Sequence, residues 1–160
     1  FGIAPAAIAF SLFKEVSYPA FMQPIEYLMP YTAFLISVFS ALRLAKFNID
    51  TRQTSSFIGM PTPANALFWG SLVTGEHDFL VSEHFNAIYL FILVVIMSFL
   101  LVAELPMFSL KFKNLSWQSN KVSYIFLIVS IPLIAVFRLS GFAAVILWYV
   151  ILSLVTYKKA

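Results

Sequence analysis

Arg43 and Lys46 stand three residues apart in Leu42-Arg43-Leu44-Ala45-Lys46-Phe47-Asn48, at the foot of a long apolar run. On a continuing helix that spacing puts both cations on one face. Asn48 follows, and Arg52 lies in the next loop. A guanidinium offers a planar fork to phosphate or carboxylate, and an ammonium adds a mobile point charge. Arg43, Lys46 and Asn48 are therefore candidate ligands for a phosphate or for the carboxylate of an amino-acid substrate. The same residues also suit a simpler role, as cations anchoring a helix end at a membrane surface. Spacing alone leaves both readings open.

The next informative stretch is Phe57-Ile58-Gly59-Met60-Pro61-Thr62-Pro63. Gly59 reaches backbone angles that other residues avoid, while Pro61 and Pro63 hold theirs. Such a turn either brings backbone donors to a ligand or makes a rigid entry into the next helix. Glu104 ends a later apolar run, just before Pro106. A carboxylate costs about 2.5–3.5 kcal/mol at a bilayer centre and much less at its interface, so an interfacial place is expected for it. His77 and His84 share an acidic stretch with Glu76, Asp78 and Glu83 but lack regular metal-ligand spacing, so a solvated loop is expected there. Metal-dependent phosphoryl chemistry needs several carboxylates on one or two divalent ions. This sequence offers no such set in its apolar part. Its only aspartates, Asp50 and Asp78, fall in loops expected on opposite sides.

These residues need elements to position them, and composition says which kind. Hydrophobic residues make up 61% of the 160-residue chain and charged residues 11%, with a mean hydropathy of +0.92. Soluble domains average about 45–50% apolar and about 25% charged, so a water-soluble fold is excluded. Eighteen phenylalanines are too many for the core of so small a chain, and some must face lipid. The net charge of +3 is no nucleic-acid signature, because the cations lie in short clusters beside apolar runs. No cysteine is present, which removes disulfides and thiolate metal sites. Apolar sequence begins at Phe1 without a charged leader, so no signal peptide is read and the first helix is expected to be truncated.

An apolar run of about 20 residues spans the ~30 Å hydrocarbon layer as a helix. On that rule the chain is an all-α, polytopic transmembrane bundle of about six segments, at 1–13, 25–45, 61–74, 85–105, 122–137 and 142–157, in a single membrane domain. Pro5, Pro30 and Pro132 lie within these segments and predict kinks. The loop holding Arg43, Lys46 and Arg52 and the loop holding Lys111, Lys113 and Lys121 are basic, which places both in the cytoplasm. Glu76, Asp78 and Glu83 make the intervening loop acidic. Six segments with alternating sides fit this charge pattern.

Three segments carry a family resemblance: Phe1-Gly2-Ile3-Ala4-Pro5-Ala6, the stretch at 42–48 and the turn at 57–63. In order and spacing they resemble the phosphatidylserine synthases of the CDP-alcohol phosphatidyltransferase family, over essentially the whole chain. That family's defining motif, D-x2-D-G-x2-A-R-x8-G-x3-D-x3-D, ends shortly before a segment like 1–6. The resemblance therefore implies that the chain lacks this N-terminal motif, and that the carboxylates holding a divalent metal, Mg2+ or Mn2+, lie upstream.

The implied reaction moves a phosphatidyl group from CDP-diacylglycerol to L-serine, giving phosphatidylserine and CMP in phospholipid biosynthesis. The implied setting is a multi-pass protein of the cell membrane, its active site facing the cytoplasm, usually a homodimer. Arg43 and Asn48 match the subfamily's R-L-A-R-F-N pattern, and Lys46 replaces its second arginine, keeping charge but losing the planar fork. No catalytic or metal residue is expected within this chain itself. Two alternatives stay open: a family member with another acceptor, such as glycerol 3-phosphate or inositol phosphate, and a non-enzymatic small membrane transporter or scaffold.

Overall fold

The computed structural model describes residues 1–49, 57–108, 110, 116–118 and 120–157. Among the described residues the regular structure is helical apart from one short strand pair. Its helices are α1 (Ile3–Phe13), α2 (Leu35–Ile49), α3 (Thr62–Leu80), α4 (Ala87–Val102), α5 (Lys121–Phe137) and α6 (Gly141–Tyr157). Two 3-10 helices, Ala20–Ile25 and Met29–Phe34, lie between α1 and α2, and the second runs straight into α2. β1 (Phe57–Ile58) pairs antiparallel with β2 (Pro106–Met107).

α1 sits innermost, and its small residues make that possible. Ala6, Ala9 and Phe13 recur at helical spacing and are fully buried. The helix packs at once on the Met29–Phe34 helix, α2, α3 and α4, because alanine and glycine let neighbouring backbones approach. At Gly2 a Cβ would stand 2.9 Å from the Ser40 Cβ, and the Ser37 hydroxyl donates to the Gly2 carbonyl at 3.0 Å. At the other end of α1, Phe10 meets the rings of Tyr31 and Phe34, with centroids 5.5 and 5.7 Å apart. α1 therefore runs antiparallel to the Met29–Ile49 segment.

Each further helix reverses direction. α3 starts beside Arg43 and ends where His77 meets Glu15 at 2.9 Å. α4 starts at Asn86, whose side chain caps it by accepting from the backbone of Ile88 and Tyr89, and returns to the Gly59–Met60 turn. α5 and α6 form a hairpin closed at Arg138, beside Glu76. The bundle thus has two ends. One gathers Gly2, Arg43, Lys46, Met60, Glu104 and Lys121. The opposite end gathers five described carboxylates (Glu15, Glu26, Glu76, Asp78 and Glu83) against Lys14 and Arg138. There Tyr18 donates to the Phe13 carbonyl at 2.7 Å, and burial, with Glu26 nearby, pushes its phenol up to about 12.

Several expected boundaries shift. The segment expected at 25–45 is helical from Met29 to Ile49, so Arg43, Lys46 and Asn48 lie in the last two turns of the helix. The segment expected at 61–74 extends to Leu80, with a break at Glu76 (φ −125°, ψ 24°). Glu76, His77 and Asp78, read as loop because they are polar, sit on α3 because Ser140 and Glu15 supply partners for the first two. Pro5 and Pro30 fall in the first turns of their helices, where a missing N–H has no partner to lose, so they demand no kink. Pro132 alone of the three lies in a helix interior.

Apolar side chains cover much of the outside. α4 buries Leu90, Val94, Met97 and Leu101 but exposes Ile92, Ile96 and Phe99. Among the described residues one helix, the 21-residue Met29–Ile49, is long and apolar enough to cross a membrane. Ile3–Phe13, Ala87–Val102, Lys121–Phe137 and Gly141–Thr156 are shorter apolar helices.

Arg138 turns the α5–α6 corner at φ 53°, ψ −118°, the first central position of a type II′ turn, where glycine is at ease and other residues are strained. Such strain costs on the order of 1–3 kcal/mol, part of it offset by glycine's greater freedom when unfolded. Arg138→Gly is expected to stabilise the protein by about 1 kcal/mol, read as a higher thermal unfolding midpoint. A midpoint unchanged or lowered would refute strain at this corner.

Candidate functional site

At the basic end, α2 carries Arg43 inward. The residue is only 5% exposed, so its guanidinium needs protein acceptors, since an unpaired buried charge is costly. Its Nε donates to the Met60 carbonyl at 3.2 Å. The guanidinium carbon also lies 5.8 Å from the centre of the Phe47 ring, one helical turn along on the same face. Arg43, Leu44, Phe47, Pro61, Thr62 and Pro63 line a cleft of about 170 Å³. The cleft has a fixed cation on one wall and a proline-stiffened turn on the other.

That turn keeps its place through backbone bonds to the end of α4. Gly59 N donates to the Leu105 carbonyl and Met60 N to the Leu100 carbonyl, both at 2.8 Å. Gly59 takes φ 76°, and a Cβ there would lie 2.7 Å from the Leu101 oxygen and 2.9 Å from that of Ala103. Glycine is required twice over, by angle and by space. β1 pairing with β2 extends the same docking.

Lys46 reaches across to the same helix end. Its ammonium donates to the Val102 carbonyl at 3.3 Å and meets Glu104 Oε1 at 3.4 Å. A cation suits the last turn of a helix, where unpaired carbonyls collect. Both side chains are about half exposed or more, so the ion pair orients more than it stabilises. Asn48 is exposed near the end of α2. Five residues beyond Arg43, it stands roughly 140° around the helix from it. Arg52 and Asp50 lie outside the described residues.

The fold thus brings Arg43 and Lys46 to one mouth, and sets Asn48 at its edge. It adds residues that sequence reasoning missed. The Met60 carbonyl and Glu104 are partners found only through contacts distant in sequence. Asn65, two residues past Pro63, is fully buried, and neither amide atom has a partner among the described residues. A lone amide in an apolar helix was the signal for it. His77 and His84 belong to the opposite end, and His77 pairs with Glu15.

The divalent metal implied by the family resemblance does not fit this mouth. Glu104 is its one described carboxylate, and it is held by Lys46. Among the described residues no group of three or more His, Cys, Asp or Glu converges. No protein-family model matches the chain, and no curated protein matches it.

The clamp at Gly59 yields a direct test. Gly59→Ala is expected to cost about 1–3 kcal/mol, seen as a lower thermal midpoint, because the turn must leave α4 to relieve both strain and overlap. Wild-type stability in that variant would show that the turn is not docked as described.

Proposed function

We propose that this chain is the membrane-embedded C-terminal portion of a CDP-alcohol phosphatidyltransferase of the phosphatidylserine synthase type. The observation carrying this reading is convergence. The segment at 1–6 is distant in sequence from the neighbouring stretches at 42–48 and 57–63, yet the three meet at one end of the bundle: Gly2 against Ser40 just ahead of the 42–48 stretch, Arg43 on the Met60 carbonyl, and the 57–63 turn around the cleft.

A polytopic arrangement is supported by the alternation of the helices, by their exposed apolar faces and by the charge difference between the ends. α4, α5 and α6 have 16 or 17 residues each. At 1.5 Å per residue they reach about 24–26 Å, short of the ~30 Å hydrocarbon layer, a mismatch that bilayer thinning absorbs at modest cost. The basic end is assigned to the cytoplasm.

In this reading the acyl chains of CDP-diacylglycerol stay in lipid while the polar reaction runs at the basic mouth. The serine oxygen bonds to the phosphatidyl phosphorus as the bond to CMP breaks, and the hydroxyl proton passes to a base preceding Phe1. Metal donors are assigned to the same upstream segment. Arg43 supplies fixed positive charge for the carboxylate of serine or a substrate phosphate. Lys46, tied to Val102 and Glu104, steadies the mouth and adds a point charge, and Asn48 offers an amide at its rim.

Arg43→Ala in the full-length protein is expected to lower kcat/KM for serine by roughly 30-fold or more, the loss of a charge-assisted contact worth about 2 kcal/mol. Serine-dependent CMP release is the measurement, with thermal midpoints matched because Arg43 also holds the turn. Unchanged rate and serine KM would overturn the assignment. Glycerol 3-phosphate and inositol phosphate, run in parallel, identify the acceptor. Residues 1–160 alone are expected to release no CMP, and metal-dependent release from that fragment would refute the upstream placement of the carboxylates.

A further inference from the structure

A second cavity lies at the opposite end from Arg43. α3 packs closely on α6 but only sparsely on α4, and the gap forms a groove of about 480 Å³. That is within the size range of small-molecule pockets. Its floor is the buried trio Phe68, Leu80 and Ala143, and its rim is the exposed trio Phe79, Phe137 and Leu147. Polar character enters the lining at Glu76 and Ser140.

The Ser140 hydroxyl donates to Glu76 Oε1 at 2.6 Å and also reaches the Phe137 carbonyl. Glu76 Oε2 has no partner among the described residues. The break in α3 falls at Glu76 itself. Asp78 and Glu83 stand nearby along the chain, and Arg138 makes no ion pair among the described residues. A groove with apolar walls and an unneutralised carboxylate at its polar end matches one ligand chemistry: a long alkyl chain whose head carries a cationic hydrogen-bond donor. Anionic heads are repelled by the five carboxylates of this end.

We infer that the groove between α3, α4 and α6 holds an acyl chain of a bilayer phospholipid whose head bears a primary ammonium, recognised by Glu76. The inference rests on the membrane-embedded reading above but not on the transferase chemistry. A primary ammonium donates directly to the free carboxylate oxygen, whereas a trimethylammonium head has no N–H to give. Serine at 140 holds the other oxygen and keeps the carboxylate turned to the groove.

The test uses the full-length protein reconstituted into vesicles of equimolar phosphatidylethanolamine, phosphatidylcholine and phosphatidylglycerol with identical acyl chains. Flotation with the vesicles comes first, and a protein that stays in the aqueous fraction overturns the membrane reading and this inference together. After gentle extraction, mass spectrometry counts the lipid retained per protein. Phosphatidylethanolamine is expected to be enriched about fivefold over phosphatidylcholine, the effect of one partly exposed charged contact. Glu76→Gln is expected to abolish that enrichment, and Ala143→Trp, which fills the groove floor, to lower retained lipid of every class. Leu147→Trp at the exposed rim serves the same purpose should Ala143→Trp lower the thermal midpoint. Equal retention of the two zwitterionic lipids, enrichment of phosphatidylglycerol, or a Glu76→Gln variant that keeps the preference would each overturn the inference while leaving the transferase proposal standing.

Discussion

A guanidinium carried into an apolar bundle must find acceptors, and much of the basic end is arranged around the Met60 carbonyl that Arg43 Nε uses. The Met60 carbonyl is available because Gly59 and Met60 are already pinned to the end of α4 by their own N–H groups. One buried cation therefore couples α2 to the 57–63 turn, and through that turn to α4. Lys46 repeats the link from outside, from α2 directly to the Val102 carbonyl and Glu104. Two cations three residues apart do different work. The buried one organises backbone, and the exposed one caps a helix end.

α1 complements that arrangement from within. Its alanines and Gly2 permit the close packing that puts four elements around an 11-residue helix. The same helix buries Leu12 and Phe13, and the core also takes in Phe68, Trp69, Ile36 and Leu90. Many other phenylalanine, isoleucine and leucine side chains remain exposed on the outer faces. The basic mouth and the acidic groove differ in chemistry because the helices deliver opposite charges to opposite ends.

Apolar run length and charge clustering made the number of helical segments and their alternation readable along the chain. The 43–46 spacing marked a cationic face, and Gly59 marked a turn with unusual angles. Less was readable wherever a polar residue found a distant partner. Glu76, His77 and Asp78 looked like loop, but Ser140 and Glu15, more than 60 residues away, supply partners that keep Glu76 and His77 on a helix. α2 runs on to Ile49, beyond the expected end at 45, for a similar reason, since Lys46 in isolation looks like a helix stop and is instead satisfied across the bundle. The short pairing of β1 with β2 joins dipeptides that carry no strand pattern of their own.

The sequence by itself determined that the chain is helical, apolar and divided into alternating segments. Those properties follow from local composition, and each stretch of about 20 residues carries them independently. It also determined which residues could bind an anion, because side-chain chemistry is local. Only the tertiary structure decided which of them share a mouth, that Arg43 is buried on a carbonyl while Asn48 stands exposed, and that Glu104 partners Lys46. It alone decided that a groove opens between α3, α4 and α6 beside Glu76. The physical reason is the same in each case. Contacts between side chains distant in sequence depend on where helices cross, and crossings are set by small residues and close backbone approaches that a linear pattern does not record.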